Sequence, residues 1–209
     1  MRILVFLFIL GPCFGQHLAS GVKAGARPTS QFEGYGVPES RPYLVGPMIE
    51  VSLPHGFGVE FDALYSRFGY TSSAGDIFGG AYFSRARANQ WQFPILLKRR
   101  LPIPLVKPYA LVGYAPLYTN GTVINSGVQV DFYGTRTVIP PTSYSADYGF
   151  DHGLVAGGGV EFGGSHVRFA PEIRYIRWKA PLFSESGSHG YYIQAPQNEV
   201  QLLLGIAWR

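Results

Sequence analysis

The sequence predicts an all-β fold: an eight-stranded antiparallel up-and-down transmembrane β-barrel with short periplasmic turns and long external loops. Three observations predict it. Apolar residues recur with a period of two along eight stretches, which is the pattern of strands whose successive side chains point to opposite faces. The connections between those stretches alternate short and long, and transmembrane barrels gather their turns on one side and their loops on the other. Charged residues make up only 14% of the 209, against ~25% in typical soluble domains, while aromatics reach 15% and glycine 27 residues. That balance favours a β-rich membrane protein over a cytoplasmic enzyme. The length suits one small barrel. The net charge is +4, and the basic residues are scattered, so no nucleic-acid-binding patch is predicted.

The chain opens with a stretch that reads as a secretory signal peptide, residues 1–15. Arg2 is followed by an apolar run from Ile3 to Leu10, then by Gly11-Pro12 and the small Gly15. The run is far shorter than the ~20 residues of a spanning helix. Cleavage is expected after Gly15 or after Ala19, leaving residues 16–209 as the barrel domain. Cys13 is the only cysteine. The lipoprotein-like context Leu10-Gly11-Pro12-Cys13 is weakened by the proline directly before it. Removal of Cys13 with the signal leaves a mature chain with no thiol, disulfide or cysteine-based metal site.

The strands are expected at 18–27, 43–53, 57–70, 89–99, 107–118, 150–162, 167–178 and 198–208. The hairpin at 150–178 shows the pattern most fully. Leu154, Ala156, Val160 and Phe162 share one parity, and Asp151, Gly153 and Glu161 take the other. After Gly163-Gly164, Val167, Phe169, Ile173 and Tyr175 alternate with Arg168, Glu172 and Arg174. In 107–118 the parity is ambiguous, since Tyr109 and Leu111 compete with Val112 and Tyr114. Short turns are expected at 54–56, 100–106 and 163–166, and long loops at 28–42, 71–88, 119–149 and 179–197. Ten strands result if 119–149 adds a hairpin of its own, for which 123–138 is the candidate. Pro47, Pro94 and Pro171 fall inside strands and each removes a ladder donor, so local irregularity is expected at all three.

Ten charged residues share the inward parity: Lys23, Glu50, Glu60, Asp62, Lys98, Glu161, Arg168, Glu172, Arg174 and Glu199. Eight strands enclose an interior just wide enough for side chains to fill, and an unpaired charge there costs several kcal/mol. A structural salt-bridge network filling the lumen is therefore expected. A narrow or gated ion path and a catalytic carboxylate pair are the alternatives. Tyr43, Tyr65, Trp91, Tyr175, Trp178 and Trp208 lie near strand ends, as interfacial girdles do.

The histidines, His17, His55, His152, His166 and His189, show no metal-ligand spacing with one another. Ser188-His189 with Glu185 is a coincidence within one loop, unlike the Ser–His–acid arrangement that a surface lipid-modifying enzyme needs. No catalytic, cofactor-binding or metal site is predicted, and no cofactor.

Several segments together resemble the OmpA/OmpX-like small outer-membrane β-barrel family. They are Gly21-Val22-Lys23-Ala24-Gly25, Gly58-Val59-Glu60-Phe61-Asp62-Ala63-Leu64-Tyr65, Lys107-Pro108-Tyr109, Ala156-Gly157-Gly158-Gly159-Val160-Glu161-Phe162, Pro171-Glu172-Ile173-Arg174-Tyr175 and Asn198-Glu199-Val200-Gln201-Leu202-Leu203-Leu204-Gly205. The resemblance implies an eight-stranded barrel in the outer membrane of a Gram-negative cell, inserted from the periplasm by the barrel-assembly machinery. It implies no activity. The family's terminal aromatic stands here at Trp208, followed by Arg209. The expected role is non-enzymatic, structural or interactive, executed by the long external loops in contact with outer-membrane lipid, with the loop ligand unknown. A small porin-like diffusion pore is the alternative, and an outer-membrane lipid-modifying enzyme a further one.

Overall fold

The computed structural model describes residues 17–28, 33–34, 37–38, 43–103, 106–164, 166–179, 184–186, 192–194 and 197–208. The predicted signal peptide 1–15, with Cys13, lies outside these, as do most of the predicted loops 28–42 and 179–197.

Among the described residues every regular element is a strand except one short 3-10 turn. In order they are β1 (His17–Ala26), β2 (Glu33–Gly34), β3 (Val37–Pro38), β4 (Tyr43–Ser52), the turn Pro54–Gly56, β5 (Phe57–Asp62), β6 (Leu64–Gly75) and β7 (Ala81–Gln92). There follow β8 (Ile95–Arg100), β9 (Lys107–Val130), β10 (Arg136–Gly163), β11 (Val167–Trp178), β12 (Ser184–Ser186), β13 (Tyr192–Gln194) and β14 (Asn198–Trp208). Eleven of them form one antiparallel sheet in the order β10-β11-β14-β1-β4-β5-β8-β9-β7-β6-β3, and β10 pairs with β9 as well. The short strands β12, β13 and β2 form a second sheet.

The alternation read from the sequence is the alternation of burial. In β14, Glu199, Gln201, Leu203, Gly205 and Ala207 are buried, whereas Leu202, Leu204 and Trp208 are exposed. In β9 the ambiguity resolves, with Tyr109 and Leu111 buried and Val112 and Tyr114 exposed. The short turns lie where predicted, at Pro54–Gly56, after Arg100 and after Gly163.

The prolines meet the expectation of local irregularity in part: beside Pro47 and at Pro94, but not at Pro171. Secondary structure breaks at Ala63 and at Phe93-Pro94, yet no register shift accompanies either break. Met48 faces Asp62 below Pro47, and Val45 faces Tyr65 above it, in one continuous register. β5 and β6 are thus one strand in pairing, as are β7 and β8. Pro171 sits opposite Leu204 with the register of β11 and β14 unbroken. A proline lacks a donor but keeps its acceptor. The Ala63 N–H donates to the Pro47 carbonyl at 3.0 Å, and the Asp62 N–H to that of Pro94 at 3.1 Å.

Two of the predicted long loops are largely strand. Residues 71–88 belong to β6 and β7, and only 76–80 form a turn. Residues 119–149 add no pair of extra strands. They lengthen β9 and β10, which pair from Glu161↔Lys107 up to Arg136↔Val130. Two register shifts interrupt this ladder, at Ile139/Thr142 across Pro140-Pro141 and at Asp147/Gly149. Two consecutive residues without donors explain the first as a bulge. The Gly/Ser/Ala-rich sequence of these segments weakens the local strand signal, and pairing with neighbours on both sides of β7 and β9 supplies what propensity lacks.

Candidate functional site

The buried face carries the chemistry. Parity puts Lys23 on β1, Glu50 on β4, Glu60 and Asp62 on β5, Lys98 and Arg100 on β8, Glu161 on β10, and Arg168, Glu172 and Arg174 on β11 together inside. Glu60 is the hub. It accepts from Lys23 Nζ at 2.6 Å, Lys98 Nζ at 2.6 Å and Arg174 Nη2 at 2.9 Å. Arg174 also reaches Asp62 at 2.7 Å and donates through Nε to Glu172. Glu172 accepts the Tyr109 hydroxyl at 2.7 Å, and Lys98 Nζ lies 4.4 Å from the Tyr109 ring centroid. Gly159, paired with Tyr109, makes this possible, because a Cβ there would stand 2.6 Å from the Tyr109 hydroxyl.

A second tier sits nearer the short turns. Arg100 meets Glu50 at 2.5 Å and Glu161 at 2.8 Å, and Arg168 meets Glu161 at 3.1 Å and Glu50 at 3.3 Å. Lys98, 3.5 Å from Glu50, joins the tiers. Five cations (Lys23, Lys98, Arg100, Arg168, Arg174) thus face five carboxylates (Glu50, Glu60, Asp62, Glu161, Glu172), a neutral set. Neutrality is what a low-dielectric interior demands, since each uncompensated charge would cost several kcal/mol.

Glu199 lies apart from this set. Its carboxylate accepts from Trp178 Nε1 at 3.1 Å and from Gln201 Nε2 at 2.6 Å, and Gln201 also donates to Gln92 at 2.8 Å. Beyond it Arg27 donates to Gln90 at 3.0 Å. Leu96, Leu111, Leu117, Val155, Ile176 and Trp178 fill the space between these polar tiers.

The ten residues singled out by parity are therefore all on one face: nine are buried, and Arg168 is half-buried. The ten leave out Arg100, which the sequence places at the edge of a turn and the structure at the end of β8, and Tyr109, whose strand is ambiguous in sequence. Gln90, Gln92 and Gln201 share the inward parity and are buried as well, and being uncharged they stand outside a set defined by charge. Trp178 corrects an expectation. It is 2% exposed and does not belong to a girdle. It stands three residues from Tyr175, and on a strand that separation means opposite faces.

The exposed face is apolar. Leu18, Val22, Ile49, Phe61, Leu97, Val112, Leu154, Ile173, Leu202 and Leu204 all point outward. An aromatic row bounds it toward the long hairpins: Tyr43 to Tyr65 at 6.5 Å, Tyr65 to Trp91 at 5.1 Å, Trp91 to Phe93 at 6.3 Å, and Tyr118 to Phe150 at 4.9 Å. Phe57, Phe162, Phe169 and Trp208 bound it toward the short turns.

His55 is in the 3-10 turn, His166 is exposed beside β11, and His152 lies 5.6 Å from the Tyr114 ring. His189 and Ser188 lie outside the described residues. Among the described residues no group of three or more His, Cys, Asp or Glu is arranged to hold a metal ion.

No protein-family model matches the chain, and no curated protein matches it. Among solved structures it is similar to Ail, the attachment invasion locus protein of Yersinia pestis, in complex with the heparin analogue sucrose octasulfate. That alignment has 12% identity and a TM-score of 0.39, and it covers 92% of this chain and 96% of the other. It is also similar to Neisserial surface protein A, with 12% identity, a TM-score of 0.42, and coverage of 93% and 98% respectively.

Proposed function

We propose that this chain is an eight-stranded transmembrane β-barrel of an outer membrane, non-enzymatic, which holds a rigid external β-ribbon above the bilayer for surface contact. One observation carries the reading: the molecule is inside out by the standard of a soluble protein. A paired set of ten charges is buried or half-buried, and large apolar side chains such as Ile49, Phe61, Leu97, Ile173, Leu202 and Leu204 are exposed in a band between two aromatic rows. Lipid is the solvent that suits such a surface.

Closure is supported by the pairing circuit. His17 faces Ser52, Ser52 faces Gly58, Gly58 faces Lys98 and Lys98 faces Leu111. Leu111 faces Gly157, Gly157 faces Arg174 and Arg174 faces Gln201. The next residue, Leu202, faces Ala26, so the circuit returns to β1 at the level of Arg27, ten residues beyond His17. Ten residues at ~3.3 Å across eight spacings of ~4.8 Å correspond to a strand tilt of about 40°, within the ~35–45° of closed barrels. Every strand of the circuit then has two neighbours, as a bilayer requires.

The interior favours a filled barrel over a pore. Each carboxylate of the central set is engaged by a cation, which also leaves none poised for general acid–base work. Export by the 1–15 signal and insertion by the barrel-assembly machinery complete the proposal.

The folded protein is expected to migrate faster on a denaturing gel unheated than boiled, and to resist carbonate extraction from membranes. Equal mobility with carbonate release would overturn the barrel. Planar bilayers are expected to stay silent, and steady conductance steps would replace the filled interior by the diffusion-pore reading. Turnover of lipid A by the purified protein would overturn the non-enzymatic assignment.

A further inference from the structure

The chain makes the same turn twice. Asp76-Ile77-Phe78-Gly79-Gly80 joins β6 to β7, and Asp131-Phe132-Tyr133-Gly134-Thr135 joins β9 to β10. In each, the aspartate Oδ1 accepts two backbone N–H groups: Phe78 at 2.9 Å and Gly80 at 2.8 Å, and Tyr133 at 2.9 Å and Thr135 at 2.8 Å. In each, the glycine N–H donates to the aspartate carbonyl, and the aspartate N–H donates to the carbonyl of the fifth residue. Gly79 (φ 87°) and Gly134 (φ 80°) take the left-handed conformation this closure needs.

Between aspartate and glycine both turns place two bulky apolar side chains. Ile77 is 92% exposed, Phe132 79% and Tyr133 90%, with Phe78 half-exposed. The turns are neighbours, since Ala81 faces Val128, and Phe78 packs edge-on against Phe132 with centroids 6.1 Å apart. The four side chains form one convex tip. From the aromatic row at Tyr118 to Phe132 the strand runs roughly 45 Å at ~3.3 Å per residue. The protein's own bilayer, bounded by that row, does not explain an apolar tip so far away.

We infer that this paired tip inserts into the interface of an opposing lipid bilayer. The inference rests on the barrel reading, which puts the ribbon outside the cell. Bilayer rather than protein is favoured on three counts. The tip is convex and small: its three aromatic side chains, at ~150–250 Å² each scaled by their exposure, supply together with Ile77 roughly 500–700 Å², short of the ~800 Å² per partner of a stable protein interface. Four of the five backbone N–H groups in each turn are satisfied internally, all but that of Ile77 or Phe132, so the turn enters an apolar zone with little donor desolvation. The nearby charges, Asp76, Asp131 and Arg136, make no cationic cluster. Apolar partitioning, not attraction to anionic headgroups, is then the driving force.

The test uses the full mature chain in lipid nanodiscs, mixed with separate phosphatidylcholine vesicles and followed by co-flotation. Binding is expected without anionic lipid and with little dependence on salt. The paired substitutions Ile77→Ser with Phe78→Ser, and Phe132→Ser with Tyr133→Ser, should each reduce bound protein by about tenfold or more while heat-modifiable mobility is kept. In a Tyr133→Trp variant, brominated lipid placed only in the vesicles should quench additional fluorescence. Equal binding by the serine variants, or no added quenching, overturns the inference. Disc-to-disc association lost in the same variants, without vesicle binding, replaces it by a contact between copies of the chain. A protein that never enters discs in heat-modifiable form defeats the barrel reading, and the tip inference falls with it. A disc-embedded protein that ignores vesicles defeats the tip inference alone.

Discussion

At the scale of single residues, the buried charges differ in how much depends on each. Glu60 receives three cations, so Glu60→Gln strands Lys23, Lys98 and Arg174 with one carboxylate fewer among them. Breaking such a buried set typically costs ~3–5 kcal/mol. The folded gel band should convert to the unfolded one at a clearly lower temperature. Glu199→Gln should matter much less, because its partners Trp178, Gln92 and Gln201 are neutral: the glutamine oxygen still accepts from Trp178, and the Gln92 and Gln201 amides can turn an oxygen toward its new NH2 group. Asp131, in the turn between β9 and β10, offers a second residue-scale test. Hydrogen bonds from the Thr135 backbone N–H, and then from that of Tyr133, hold its carboxyl below the ordinary aspartate range. A lowered folded pKa means that the ionised form stabilises the turn at any pH above the unfolded value. That stabilisation fades as pH falls through the folded value. The Thr135 amide shift, followed by NMR, should titrate below the usual aspartate midpoint, and an ordinary midpoint would remove this account of the turn.

At the scale of elements, the long hairpins were the hardest part to read. The short turns were legible because Pro54, Gly56, Pro102 and Gly163-Gly164 punctuate clear alternation on both sides. Residues 71–88 and 119–149 lack that contrast. Above the aromatic row neither face of a strand must be apolar, so the period-two signal fades although the ladder continues through Ser84↔Asn125 and Thr122↔Ser145. The ribbon and the barrel should also be separable in stability. Replacing residues 123–144 by a two-residue Asn-Gly turn removes the distal pairing and leaves every strand of the lower circuit intact. The shortened protein should keep its heat-modifiable band with a similar midpoint and should lose vesicle binding. Loss of the folded band would mean that the ribbon is needed to form the barrel.

At the scale of the whole molecule, the distribution of polarity can be tested one residue at a time. Leu204 is 45% exposed on the apolar band, and Leu203 is buried against Leu44 and Leu64. In the proposed barrel, Leu204→Arg puts a charge into hydrocarbon and should cost ~2–4 kcal/mol at mid-depth, read as impaired assembly into vesicles. Leu203→Arg faces inward opposite Glu172, where a partner exists but space does not. A cysteine at each position separates lipid from interior: a dye at 204 should be quenched by brominated lipid, and one at 203 should not. Quenching at neither position would mean that the band does not face lipid.

The sequence by itself determined which side chains share a face, and hence that Lys23, Glu60 and Arg174 lie together on one side and Leu202 and Leu204 on the other. Alternation is a local property of the pleat and needs no knowledge of neighbours. The tertiary structure alone decided which charge meets which. Lys23 and Glu172 are 149 residues apart, and they approach to 3.4 Å only because the registers of β1, β14 and β11 bring Lys23 level with Ala170, two residues from Glu172 on the same face. Register between strands is a long-range quantity, set by turn geometry and by the stagger accumulated around the sheet. The same holds for Trp178 reaching Glu199, for the tyrosine of β9 settling against Gly159, and for two distant Asp-aromatic turns meeting at one tip. Each is a contact between segments whose spacing along the chain carries no information about their distance in space.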